Sequence, residues 1–209
     1  MKKILLVSVA LLLLPFWGKS QVEIAPFGGY MFGGSLSFYE GKLNLKDNAD
    51  FGVSLIVPDV KFATDLEISY SRMDGSAEFI SYDLGFRDRS FDLSTNYFQI
   101  GALKNFGTDE RLQPFGSFSL GATLFSPKES DLSDTWRFSV TLGLGTKIFF
   151  TDRVGIILRG RLMMPMYFGG VGGWCGIGTG GSGCGLSLNG YATIFQGDFT
   201  GGLVFKLGK

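Results

Sequence analysis

The residues best able to do chemistry in this chain come in pairs. Asp65 and Glu67 stand two apart, and Arg159 and Arg161 repeat that spacing. In an extended strand a spacing of two places both members on one face. Paired carboxylates can serve acid–base hydrolysis, but arginines facing them would hold both ionised, which suits an ion pair better than acid catalysis. The chain contains no histidine. That removes Ser-His-Asp and Cys-His catalysis and imidazole metal sites. Gly176, Gly178 and Gly181 match the spacing G-x-G-x-x-G. A dinucleotide site needs that spacing between a strand and a helix, and no helical periodicity is evident, so the segment reads as a glycine-rich loop. No catalytic, cofactor-binding or metal-ligating residue is expected, and the chain does not read as an enzyme.

The elements that must carry these residues follow a period of two. Residues 112–125, LQPFGSFSLGATLF, place Pro114, Gly116, Phe118, Leu120, Ala122 and Leu124 on one side. Gln113, Phe115, Ser117, Ser119, Gly121 and Thr123 fall on the other. Seven further segments alternate in the same way: 22–32, 50–57, 62–72, 92–104, 136–150, 154–164 and 191–207. Several exceed ten residues, whereas strands of soluble proteins average about 5–6 and about 9–11 tilted residues cross a bilayer. The connections alternate between short (58–61, 105–111, 151–153) and long (33–49, 73–91, 126–135, 165–190). An even number of long strands with turns at one end and loops at the other is the pattern of an outer-membrane barrel. The apolar side of 112–125 is therefore expected to face lipid. Tyr30, Phe32, Tyr70, Trp136 and Tyr191 would form an outward girdle near the loops, with Phe150 and Phe205 near the turns. Pro26 and Pro114 each remove a ladder hydrogen bond and are expected at bulges or strand ends.

The first twenty residues begin Met-Lys-Lys, continue as an apolar run over 4–14 and end in Gly18-x-Ser20. That is the plan of a secretory signal peptide, and the run is too short for a membrane-spanning helix. Residues 1–20 are read as the leader and 21–209 as one domain. The 19 basic and 19 acidic residues balance, leaving no electrostatic footprint for nucleic acid. Export through an oxidising compartment makes a disulfide between Cys175 and Cys184, the only two cysteines, the expected state.

Three stretches carry a resemblance: EIAPFGGYMFGG in the first strand, QPFGSFSLGATLFSP in the fifth and FQGDFTGGLVFKLGK at the end. With the leader, they make the chain resemble the small outer-membrane β-barrel proteins of Gram-negative bacteria, the OmpX/OmpA-type eight-stranded barrels. The resemblance implies an all-β, eight-stranded antiparallel up-and-down transmembrane β-barrel in the outer membrane, monomeric, with both termini periplasmic. The chain departs from that pattern by ending on Gly208-Lys209 rather than on an aromatic residue.

Eight strands leave an interior that side chains can fill. The inward face holds Glu23, Asp65, Glu67, Arg137, Lys147, Arg159, Arg161 and Asp198. Buried charges must pair, and strand three lies opposite strand seven, so Asp65 and Glu67 are expected across from Arg159 and Arg161. Recognition is expected on the loops; 73–91 mixes Phe79, Tyr82 and Phe86 with Arg87 and Arg89, and its aromatics either extend the hairpin above the membrane or form a binding surface. Two functions stay open. One is a scaffold presenting loops to a protein partner or surface ligand, with lipid around the wall. The other is a narrow conduit for a small apolar molecule.

Overall fold

A computed structural model describes residues 22–37, 41–58, 64–81, 89–107, 109, 111–129, 133–178, 181–192 and 194–208. The leader read over 1–20 lies outside them. The described chain is built from strands: β1 (Val22–Phe32), β2 (Ser35–Ser37), β3 (Gly41–Leu45), β4 (Asn48–Val57), β5 (Thr64–Ser81), β6 (Arg89–Asn105), β7 (Leu112–Pro127), β8 (Thr135–Phe149), β9 (Val154–Gly178), β10 (Gly181–Ala192) and β11 (Gln196–Leu207). Eight of them close a ring in the order β1-β4-β5-β6-β7-β8-β9-β11. Every pairing is antiparallel, and β11 returns to β1.

Closure removes the free edges that an open sheet would expose. It also demands stagger. Following hydrogen-bonded partners from Glu23 leads through Ile56, Glu67, Gly101, Ser119, Thr141 and Met163 to Gln196. Gln196 adjoins Gly197, the partner of Phe32 at the far end of β1. One circuit thus climbs nearly the whole length of a strand. The alternation faces as the sequence reading has it: Phe118 and Leu120 lie exposed outside, while Phe115, Ser119 and Thr123 are buried inside. Polar and charged side chains fill much of the interior and large apolar ones cover the outer wall, the reverse of a soluble protein.

Tyr30, Phe32, Trp136 and Phe150 are exposed on the outer surface as expected. Tyr70, Phe98 and Trp136 line up as neighbouring rings across β5, β6 and β8, with centroids 5.1 and 5.9 Å apart. Tyr191 falls in β10 rather than in the last barrel strand. Pro26 keeps its partner Val53 on β4, but the β1–β11 ladder skips Ala25 and Pro26 and resumes in register at Phe27. The missing N–H opens the ladder without a bulge.

Strand extends past the eight alternating segments: within 73–91 this is the extended-hairpin reading, and within 33–49 and 165–190 it replaces an expected loop. β5 and β6 stay paired up to Phe79 and Arg89, β2 and β3 add a hairpin to the β5 edge, and β9 continues to Gly178 before returning as β10. Gly176 and Gly178 of the glycine-rich segment therefore lie on β9 and Gly181 on β10, paired rather than in an irregular loop.

Candidate functional site

The lumen is layered from turn end to loop end. At the turn end, Ala25, Ile56, Leu103, Phe115, Phe149, Ile157 and Val204 form one buried apolar cluster. Glycine makes room for its rings: a Cβ at Gly145 would lie 2.7 Å from the Phe115 ring. Set into this layer, Lys147 Nζ donates to Glu23 Oε2 at 2.7 Å and to Asp65 Oδ2 at 3.3 Å, and Asn105 Nδ2 donates to the same Asp65 oxygen at 3.0 Å. Lys206 Nζ stands 3.8 Å from the centre of the Phe149 ring. Lys147 is fully buried, so its ammonium depends on these carboxylates for what water would otherwise supply.

The next layer is ionic. Arg159 Nη1 donates to Glu67 Oε1 and Nη2 to Ser54 Oγ at 3.2 Å. Arg161 Nε donates to both Asp198 oxygens, at 3.1 and 2.9 Å, its Nη2 also meets Asp198, and Nη2 reaches Asp50 Oδ2 at 3.5 Å. Both guanidiniums stack on the Phe27 ring, 5.0 and 4.8 Å from its centre. Phe27 can lie flat because residue 52 opposite is glycine; a Cβ there would stand 2.5 Å from the ring. Planar guanidinium suits this double duty of forked hydrogen bonding and ring stacking better than lysine.

The structure thus brings Arg159 to Glu67 and Lys147 to Glu23 and Asp65. It does not bring Arg161 to Asp65 or Glu67 as the opposition of strands implied. Arg161 and Asp198 are direct partners on the β9–β11 ladder, and the adjacent carboxylate satisfies the guanidinium without crossing the lumen. Arg137 is half-buried on β8. It lies six residues above Gly143, the ladder partner of Arg161, and its Nη1 donates to the Trp136 carbonyl at 3.3 Å. Asp50 is a buried member that the sequence reading did not single out. Its signal was the inward run Asp50, Gly52, Ser54, Ile56 on β4.

Above the ionic layer, Met31, Met73, Tyr97 and Met163 form a second buried cluster, in which Tyr97 Oη donates to Gln196 Oε1 at 2.5 Å. Leu45, Ala77, Leu93 and Ile194 form a third. Outside and beyond the aromatic belt, Arg72 holds Asp74 through Nε and Nη2 at 2.9 and 2.8 Å, and Ser94 joins them. Hydrogen bonds from Arg72 and then Ser94 hold the Asp74 carboxyl down at about 2.

Of the candidate recognition residues, Phe79 and Arg89 are backbone partners on the β5–β6 ladder. Tyr82, Phe86 and Arg87 lie outside the described residues. Cys175 and Cys184 are direct partners on the β9–β10 ladder. Among the described residues no group of three or more His, Cys, Asp or Glu side chains could hold a metal ion.

No protein-family model and no curated protein sequence matches the chain. Solved structures do. The barrel is similar to the crystal structure of Neisserial surface protein A at 14% identity and a TM-score of 0.57, covering 89% of this chain and 97% of that one. It is also similar to the outer membrane protein OprG from Pseudomonas aeruginosa at 12% identity and a TM-score of 0.54, covering 92% and 99%. At such identities the likeness is one of fold. The chain folds as a closed eight-stranded antiparallel barrel of the kind found among bacterial outer-membrane proteins.

Proposed function

We propose that the protein is an outer-membrane scaffold, exported by its leader, whose barrel anchors it and whose tall hairpins are offered to a protein partner or surface ligand outside the cell. Both ends of the barrel chain then lie on the periplasmic side. The observation that carries this reading is the closed lumen. A buried apolar layer, an ionic layer and a methionine–tyrosine layer succeed one another inside the ring, while the strands carry on past the aromatic belt as hairpins. A filled interior favours anchoring over passage. The same layers weigh against a conduit for a small apolar molecule, which would have to displace buried ion pairs.

The β9–β10 hairpin is the part this reading assigns to recognition, with the Cys175–Cys184 pair as its clasp. Direct antiparallel partners have Cα atoms about 4.5–5.5 Å apart, inside the range that a disulfide bridges. Closing so short a loop contributes roughly 2.5–3 kcal/mol by chain entropy. The non-reduced protein should offer no alkylatable thiol before reduction; two free thiols would remove the clasp. For the function itself, the purified protein in planar bilayers should show no stepwise conductance. Mild-detergent extraction should retain a bound partner that is lost when residues 167–192 are replaced by a short turn. Steady conductance together with no such partner would overturn the scaffold reading.

A further inference from the structure

The ionic layer does not balance. Among the described buried residues it sets three carboxylates, Asp50, Glu67 and Asp198, against the two guanidiniums of Arg159 and Arg161. The least served is Asp50. It is 2% exposed, its Oδ1 accepts no hydrogen bond, and its Oδ2 reaches Arg161 only at 3.5 Å. A buried carboxylate in that condition is costly unless something else carries compensating charge. The next cations do not sit in this layer. Lys147 and Lys206 are engaged at the turn end, and Arg137 is half-buried nearer the loops with its guanidinium on the Trp136 carbonyl.

Directly beside the excess charge lie three thioethers. Met31, Met73 and Met163 share one buried cluster, each at most 1% exposed, although they come from β1, β5 and β9. Met73 is the ladder partner of Asp50, and Met31 is the partner of Asp198. Gln196, the partner of Met163, donates Nε2 to Met31 Sδ at 3.7 Å, so that sulfur already acts as an acceptor. Methionine often merely fills gaps. Gap filling does not account for so poorly served a carboxylate on the ladder beside Met73.

We infer that the junction of the ionic and methionine layers is a binding site for one soft monovalent cation, Cu(I) or its analogue Ag(I), held by the three methionine sulfurs with their ladder neighbours Asp50 and Asp198 supplying the balancing charge. Thioethers are neutral, polarisable ligands that select Cu(I) over hard cations. Calcium and magnesium would ask for six or more oxygens, and the layer offers two carboxylates. Glu67 is committed to Arg159 and takes no part.

The probe is Ag(I), added to the full-length chain during refolding into detergent, in a Cys175→Ser, Cys184→Ser background so that thiols do not compete. Native mass spectrometry should show one Ag(I) per folded barrel, and absorption spectroscopy at the silver edge should show sulfur neighbours. Met31→Leu and Met73→Leu keep the volume and should each weaken binding at least tenfold, as should Asp50→Asn. Met164→Leu, which changes a methionine outside the cluster, should leave it unchanged. Folding of every variant is read independently from the mobility difference between unboiled and boiled samples. No bound silver in a folded barrel, binding unchanged by Met73→Leu, or binding unchanged by Asp50→Asn would each overturn the assignment. The last of these, with a carboxylic-acid carbonyl band in the infrared that Asp50→Asn abolishes, would show that a proton neutralises Asp50 instead.

Discussion

The two halves of β5 invert each other. From Asp65 to Tyr70 the carboxylates Asp65 and Glu67 point into the lumen and are buried, while Leu66 and Ile68 lie outside, 41% and 47% exposed. From Arg72 to Glu78 the same alternation continues without a break, but Met73 and Ala77 now point inward and the charges of Arg72, Asp74 and Glu78 point out. Nothing in the backbone changes between the halves; the ladder to β6 stays in one register throughout. In the membrane placement proposed above, what changes is the solvent of the outer face. Where that face meets hydrocarbon, apolar groups belong outside and polar ones must be satisfied within. Where it meets water, the ordinary preference returns and the apolar groups form the inner clusters. The switch falls at the Tyr70–Phe98–Trp136 row, where amphipathic rings mark an interface.

Four substitutions break or sharpen that contrast. The largest effect belongs to the inner face of the lower half. Arg159→Leu strands Glu67 in the lumen and should destabilise the barrel by about 3–5 kcal/mol, read from urea unfolding in detergent. An equal midpoint for variant and parent would mean that the ionic layer carries no stability. Next comes the outer face at the same height. Leu158→Arg puts a cation where the wall meets hydrocarbon and should cost about 2–4 kcal/mol near the midplane, and a neutral result in lipid would place the wall in water. Gly52→Ala drives a methyl group against the Phe27 ring and the Tyr70 carbonyl. It should cost about 1–3 kcal/mol by overpacking and loosen both stacked guanidiniums together.

The smallest effect belongs to the upper half. Arg72 and Asp74 are more than a third exposed, so Arg72→Ala should cost under about 1 kcal/mol. Its pH dependence has a defined sign. The Asp74 carboxyl sits at about 2 in the fold against 3.8 unfolded. Its contribution is therefore present above pH 3.8 and lost as the pH falls toward 2. Acid titration of the hairpin amides should show that loss in the parent and not in Asp74→Asn.

The wall was legible because a period of two with lipid-length strands has few other solutions, and Leu112–Pro127 shows why: its two faces differ at nearly every step. The lumen was partly legible. Parity placed Glu67, Lys147 and Arg159 inward, but partner choice depends on stagger, which alternation does not encode. Arg161 turned to its ladder neighbour Asp198 for that reason. Asp50 escaped notice because it stands at the edge of an apolar segment, three residues into β4, where polar residues usually mean a loop. Strand above the belt is hard to read from alternation because the inside-out rule fails there. Arg72, Asp74 and Glu78 on the outer face end the apolar pattern while the strand continues, and glycine thins it altogether in β9 and β10.

The boundary within β5 is the central claim, and site-directed spin labelling in a lipid bilayer tests it most directly. In a Cys175→Ser, Cys184→Ser background, Ile68→Cys and Asp74→Cys place nitroxides on the same outer face, six residues apart and on opposite sides of the aromatic row. The label at 68 should collide with oxygen, which concentrates in hydrocarbon, and be shielded from a water-soluble nickel chelate. The label at 74 should show the reverse. Equal access of the chelate to both positions would contradict the account, because the change of face along β5 would then not mark a change of solvent.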